Sequence, residues 1–90
     1  RLVNNKTADI KNEIDLRGMT VEEACDLVDK YLDDAYLSSL AQVHIIHGKG
    51  TGALRSAISD MLRYHPHVKS YRLGNYNEGG NGITVVELKK

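Results

Sequence analysis

Apolar residues recur along this chain with two different periods, and the switches between them delimit its elements. Glu13-Ile14-Asp15-Leu16-Arg17 alternates polar and apolar, the period of a half-buried strand. Gly18 ends it, and Thr20 opens a helix as N-cap, with Glu23 three residues later completing a capping-box pattern. Val21, Ala24, Leu27, Val28, Tyr31, Leu32 and Ala35 follow at helical spacing, so this helix is expected to end near Leu37 or Ser38. Val43 to His47 reads as a strand apolar enough to be central in a sheet. A second helix is predicted from about Gly52 to Tyr64, stopped before Pro66, with His65-Pro66-His67 as its terminator. Val68 to Leu73 reads as a third strand. Residues 74–82 read as a long, flexible turn, and Ile83 to Leu88 as a strand rich in β-branched residues.

The predicted order is therefore βαβαββ. Alternating strands and helices pair in parallel through crossovers, whereas the last two strands make a hairpin. The expected fold is of the α/β class: a two-layer sandwich, with a four-stranded mixed sheet and two helices on one face. The other face would be partly open or covered by the N-terminal arm. Residues 1–12 are polar and aperiodic and read as a linker or flexible arm, leaving 13–90 as one domain. A first residue of arginine rather than methionine is the mark expected of a segment cut from a longer protein.

Composition narrows the setting. The single cysteine, Cys25, excludes an internal disulfide and falls on the apolar side of the first helix, as a small core residue in a reducing compartment would. No apolar run approaches the roughly 18 residues that span a membrane, and no signal peptide is visible, so a cytoplasmic location is expected. Formal net charge is zero, which alone argues against a general nucleic-acid binder. Its distribution argues the other way. Glu22, Glu23, Asp26, Asp29, Asp33 and Asp34 crowd the first helix against Lys30 alone. Lys49, Arg55, Arg63, Lys69 and Arg72 then face only Asp60 between His44 and Tyr76. A balanced total hides a polarised surface.

The candidate chemistry lies where strands end and helices begin. His47-Gly48-Lys49-Gly50-Thr51-Gly52-Ala53-Leu54-Arg55 is a strand end, a glycine-rich turn and a helix start, which presents free backbone N–H groups to an anion. With Lys49 and Arg55 flanking it, that anion is expected to be a phosphate. Asp15 and Arg17 end the first strand at the same sheet edge, and alternation directs them away from Ile14 and Leu16. Arg17 suits phosphate because its planar fork keeps its charge. His47 supplies an imidazole, a side chain that can move a proton. Two plainer roles stay open: Asp15 pairing with Arg17 or accepting loop N–H bonds, and His47 hydrogen-bonding the backbone.

Standard motifs do not account for the turn. A P-loop would need glycine at Val43 and serine or threonine at Gly50. The dinucleotide fingerprint is nearly met by Gly48, Gly50 and Ala53, but it follows the second strand and no acid ends the next one. A zinc site is poorly supported: the histidines lack cysteine partners, and His44 and His47 point to opposite strand faces.

Ile14-Asp15-Leu16-Arg17-Gly18, Thr20-Val21-Glu22-Glu23-Ala24, His47-Gly48-Lys49-Gly50-Thr51-Gly52 and Glu78-Gly79-Gly80-Asn81-Gly82-Ile83-Thr84-Val85-Val86-Glu87-Leu88 together resemble the Smr (small MutS-related) domain. The similarity is to the version at the C-terminus of bacterial MutS paralogues not dedicated to mismatch repair, and it covers residues 13–90. The resemblance implies a two-layer α/β fold like the C-terminal domain of a translation initiation factor. It implies binding to DNA or RNA, often with endonuclease activity. It also implies a homodimeric parent with an upstream ATPase region, acting in suppression of recombination or on stalled ribosomes. The isolated domain is then expected to be a monomer, with ATP used only upstream and no membrane contact. Asp15 and Arg17 match the arginine form of the family's Leu-Asp-x-His/Arg motif, with Ile14 in place of its leucine. His47, Gly48 and Gly50 match His-Gly-x-Gly.

Residues and resemblance together make Asp15, Arg17 and His47 the expected catalytic residues, and Gly48, Lys49, Gly50, Thr51, Gly52 and Arg55 the expected phosphate-binding ones. A guanidinium cannot act as the general base that a histidine would supply, so Arg17 would neutralise transition-state charge. Asp15 would orient a water or hydroxyl or hold a metal ion, and His47 would transfer the proton. No metal ligands are assigned and no cofactor is required by the motifs; a divalent ion is left open. A binding module that delivers the attached ATPase to DNA or ribosomal RNA is the alternative, and a protein-interaction domain with an acidic partner a third.

Overall fold

The computed structural model describes residues 11–90. Strand β1 is Glu13–Asp15, helix α1 Val21–Leu37, β2 Gln42–Ile46, helix α2 Ala53–Tyr64, β3 Val68–Leu73 and β4 Ile83–Leu88. Of the residues expected to form an arm, 1–12, residues 1–10 lie outside the described part. Lys11 and Asn12 are held: the Lys11 carbonyl accepts from the Tyr31 hydroxyl, and Asn12 O accepts the His44 N–H at 2.8 Å.

Helix α1 starts where its cap predicts. Thr20 Oγ1 accepts from the Glu23 N–H and Glu23 Oε1 from the Thr20 N–H, closing the capping box. Its Ala24, Val28, Leu32 and Ala35 face the sheet and are buried. Helix α2 buries Ile58 and Leu62, one turn apart, and ends at His65, whose backbone is already extended ahead of Pro66.

The sheet has the order β1-β2-β4-β3, with β1 parallel to β2 and β4 antiparallel to both its neighbours. The hairpin expected at the C-terminus is present, and its second strand inserts centrally. Register pairs Val43 with Val86 and Ile45 with Thr84, so these side chains and those of Leu16 and Leu88 meet the two helices in one core. The other face carries Glu13, His44, Val85 and Arg72 in one row. Most of its residues are exposed or half-buried, but Val85 is buried.

Two expectations are corrected. The regular pairing of β1 stops at Asp15 rather than Arg17, although the Leu16 N–H still reaches Ile46 O at 2.7 Å. Residues 74–82 are not a loose turn. They form two 3-10 turns, Tyr76–Glu78 and Gly80–Gly82, with an Asn75/Glu78 capping box. Arg72 grips Glu78 through two bonds of 2.8 and 3.2 Å, a side-chain pairing no local sequence pattern announces.

Candidate anion-binding site

Parallel pairing brings the C-terminal ends of β1 and β2 to one edge, where Asp15 is in register with Ile46. Because β4 is antiparallel, its start arrives at the same edge. The His47 and Gly48 N–H groups both bond Gly82 O at 3.0 Å, tying the glycine-rich turn to residues 74–82. A depression of about 590 Å³ opens there, lined by Arg17 to Val21 and by the whole run from His47 to Arg55. Three cations border it (Arg17, Lys49 and Arg55) and no carboxylate does.

Two helix N-termini converge on this depression, in opposite states. That of α1 is closed by its own Thr20 and Glu23. That of α2 has Gly52 as N-cap and no side-chain cap. Thr51 Oγ1 accepts only the Ala53 N–H, at 3.3 Å, and the first intrahelical bond begins at Ser56. The Leu54 and Arg55 N–H groups are thus left for a ligand, at the positive end of a helix dipole. Lys49 and Arg55 form no ion pair among the described residues, so both charges are available to an anion.

Glycine is required at two places. Gly48 has φ +79° and a Cβ there would come 3.2 Å from Arg17 Cγ; Gly52 has φ +87° and a Cβ would come 3.0 Å from the Arg55 guanidinium. The left-handed backbone needs glycine, and each bare Cα lets a cation lie against the turn. Gly50 is different: a Cβ there would enter open space.

Asp15 does not line the depression. Its Oδ1 accepts from the Arg17 N–H and Nε, both at 3.0 Å, and its Oδ2 from a terminal nitrogen at 2.8 Å. These bonds hold its carboxyl down at about 2 and raise the Arg17 guanidinium. Both groups are exposed, so the pair's merit is geometric: it aims the guanidinium. With both oxygens committed to Arg17, Asp15 offers a metal ion little, and no step below is routed through one.

His47 joins Arg17 in the depression but is buried, 5% exposed. Its Nδ1 lies 3.0 Å from Gly48 O and its Nε2 2.7 Å from Thr84 Oγ1. A carbonyl can only accept, so Nδ1 carries the proton and Nε2 accepts from the Thr84 hydroxyl. The ring therefore braces the turn. Thr84 and Gly82 are site residues that sequence reasoning missed. Their signal was the strand order, which places the start of β4 beside β2.

Among the described residues one group has the composition of a cation site: Asp29, Asp33 and His65. It lies away from the depression, and its hydrogen bonds oppose ligation. His65 Nδ1 accepts the His67 N–H at 3.2 Å, so the proton sits on Nε2 and donates to Asp29 Oδ1 at 3.0 Å. A protonated nitrogen has no lone pair for a metal. The contact instead fastens the end of α2 to α1, and Tyr36 stacks on His67 beside it at 3.9 Å.

Comparison with known proteins identifies the family and the fold. A family model described as Smr domain matches residues 14–89. The chain is 61% identical over 89 residues to Endonuclease MutS2 of Clostridium beijerinckii, covering 99% of this chain and 11% of that protein. It is 70% identical over 80 residues to Endonuclease MutS2 of Clostridium novyi, covering 89% of this chain and 10% of that one. It thus spans about a tenth of the length of these relatives. The crystal structure of the Smr domain of Thermus thermophilus MutS2 superposes with a TM-score of 0.87 at 46% identity, over 89% of this chain and all of that one. The stand-alone small MutS-related protein YdaL of Escherichia coli gives 0.83 at 29%, over 88% of this chain and 65% of that one.

Proposed function

Because this chain belongs to the Smr domain family, we propose that it binds a nucleic-acid backbone over the first turn of α2 and cleaves a phosphodiester there. The observation that carries the proposal is the uncapped start of α2 set among Arg17, Lys49 and Arg55 with no carboxylate in the wall. A phosphate satisfies the free N–H groups and the three charges together. The relatives' name, Endonuclease MutS2, supports the cleavage step. Arg17, aimed by Asp15, stabilises charge on the non-bridging oxygens. For His47 to transfer a proton, the Thr84 hydroxyl must first release Nε2; as bonded here, His47 acts by positioning Gly48 and its neighbours. The parent protein would supply an ATPase and a dimer interface, in the cytoplasm, acting on recombining DNA or on stalled ribosomes.

A second reading, a non-catalytic DNA- or RNA-binding module that recruits the attached ATPase, is favoured by the internal bonding of both His47 nitrogens. One experiment separates the two. The chain is incubated with plasmid DNA and with structured RNA, with and without divalent metal. Products that vanish in Asp15→Ala and His47→Ala establish cleavage; salt-sensitive binding without products establishes the module. In either case Lys49→Ala and Arg55→Ala should each lower the slope of log affinity against log salt by about 1. Unchanged slopes would refute phosphate binding at this turn.

A further inference from the structure

A second depression, of about 380 Å³, adjoins the first across the sheet edge. Arg17, Gly48 and Lys49 belong to both and form the ridge between them. Beyond the ridge the walls are Ile46, Ile83 and Gly79, so two cations border a floor of aliphatic side chains and bare backbone. That combination suits a flat, largely apolar group joined to an anion.

The loop beyond this floor carries Tyr76, which is 99% exposed. Its backbone is nevertheless firmly held. Glu78 accepts from the Asn75 N–H and from Arg72, the Gly80 N–H bonds Asn75 O at 2.9 Å, and the Gly74 N–H bonds Ile83 O at 2.9 Å. A 3-10 turn rises about 2 Å per residue, which sets Tyr76 about 6 Å along the chain axis from Gly79 in the wall. An aromatic ring is thus presented to solvent on a fixed loop whose Gly79 lines the depression that Arg17 and Lys49 border.

We propose that this second depression and Tyr76 form a nucleobase subsite for a single-stranded segment of the nucleic acid. The base stacks on the Tyr76 ring while its phosphate rests on the Arg17–Lys49 ridge, and the chain continues to the first turn of α2. In a duplex the base faces are already stacked on neighbours, so only an unpaired base has one to offer. Every base has a π-face, so the subsite is sequence-tolerant. The proposal rests on the phosphate reading above and adds to it the strandedness of the substrate.

Fluorescence anisotropy with a labelled short single strand, the same strand as a blunt duplex, and its abasic analogue tests it. Tyr76→Ala should weaken single-strand binding about 5- to 150-fold, the range for loss of one base–aromatic stack. It should leave duplex and abasic binding unchanged, and Tyr76→Phe should bind as the unaltered chain does. The ring packs on nothing, so folding is not at stake. If Tyr76→Ala binds single strands normally while Lys49→Ala with Arg55→Ala does not, the subsite is wrong and the phosphate site stands. A loss shared equally by duplex and single strand, or binding of duplex alone, also overturns the subsite. Failure of the unaltered chain to bind any of the three removes both.

Discussion

The Arg17 side chain lies against the bare Cα of Gly48, so close that a Cβ there would come 3.2 Å from Arg17 Cγ. Two loops about thirty residues apart in sequence are joined at this contact. Gly48→Ala must accept a left-handed backbone, costing about 1–2 kcal/mol, and must also push Arg17 off the turn. Urea unfolding should show the first effect, and weaker oligonucleotide binding the second. Gly50→Ala is the control: its Cβ meets no atom, so stability should hold.

Acid should release the Asp15–Arg17 pair only far below neutrality. The folded-state carboxyl is depressed from 3.8 to about 2, so the pair's contribution is complete above 3.8 and disappears as pH falls through about 2. Nucleic-acid affinity should therefore show no inflection from Asp15 between pH 5 and 8. An NMR titration of the Asp15 carboxyl carbon with a midpoint near 4 would show that the pair does not form in solution. Asp15→Asn keeps the shape but loses the ion pair. If aim matters, cleavage should fall about 10- to 100-fold with binding much less affected.

Thr84 is buried and its hydroxyl is the partner of His47 Nε2. Thr84→Val should cost about 1–3 kcal/mol, since it leaves a buried ring nitrogen without a donor. Thr84→Ser should recover most of that. Equal stability of the valine and serine variants in urea would mean that the bond contributes nothing.

At the opposite rim, His65→Ala removes the link between α2 and Asp29 and should destabilise the fold by about 1–3 kcal/mol. Nucleic-acid affinity under folded conditions should not change, because the residue is remote from the depression. A zinc titration of the intact chain should show no binding at His65, whose Nδ1 is occupied by the His67 N–H.

Local signals located the helices and β3 and β4 well, because caps, Pro66 and β-branched runs act over a few residues. Thr20 and Glu23 marked the start of α1 with no help from the rest of the chain. The convergence of Arg17, His47, Lys49 and Arg55 was legible too, since parallel strands share an edge whatever their order. Long-range hydrogen bonding was not. His47 meets Thr84 across 37 positions, and that pairing follows from β4 lying beside β2, which periodicity does not encode. Alternation correctly turned Asp15 away from Ile14, but it could not show that the carboxylate curls back onto Arg17. Residues 74–82 looked loose because glycine and asparagine dominate them; what orders the loop is Arg72, a member of the preceding strand.

The uncapped start of α2 has a consequence for heat tolerance. Donors that no side chain satisfies leave the empty protein short of the stability it reaches when occupied. An anion that binds only the native state stabilises it by mass action, by about 2.7 kcal/mol at a hundred times its dissociation constant, and so raises the melting temperature. A thermal melt in increasing inorganic phosphate should therefore climb, and less steeply in Arg55→Ala, making the unfolding midpoint a direct gauge of how full the turn is.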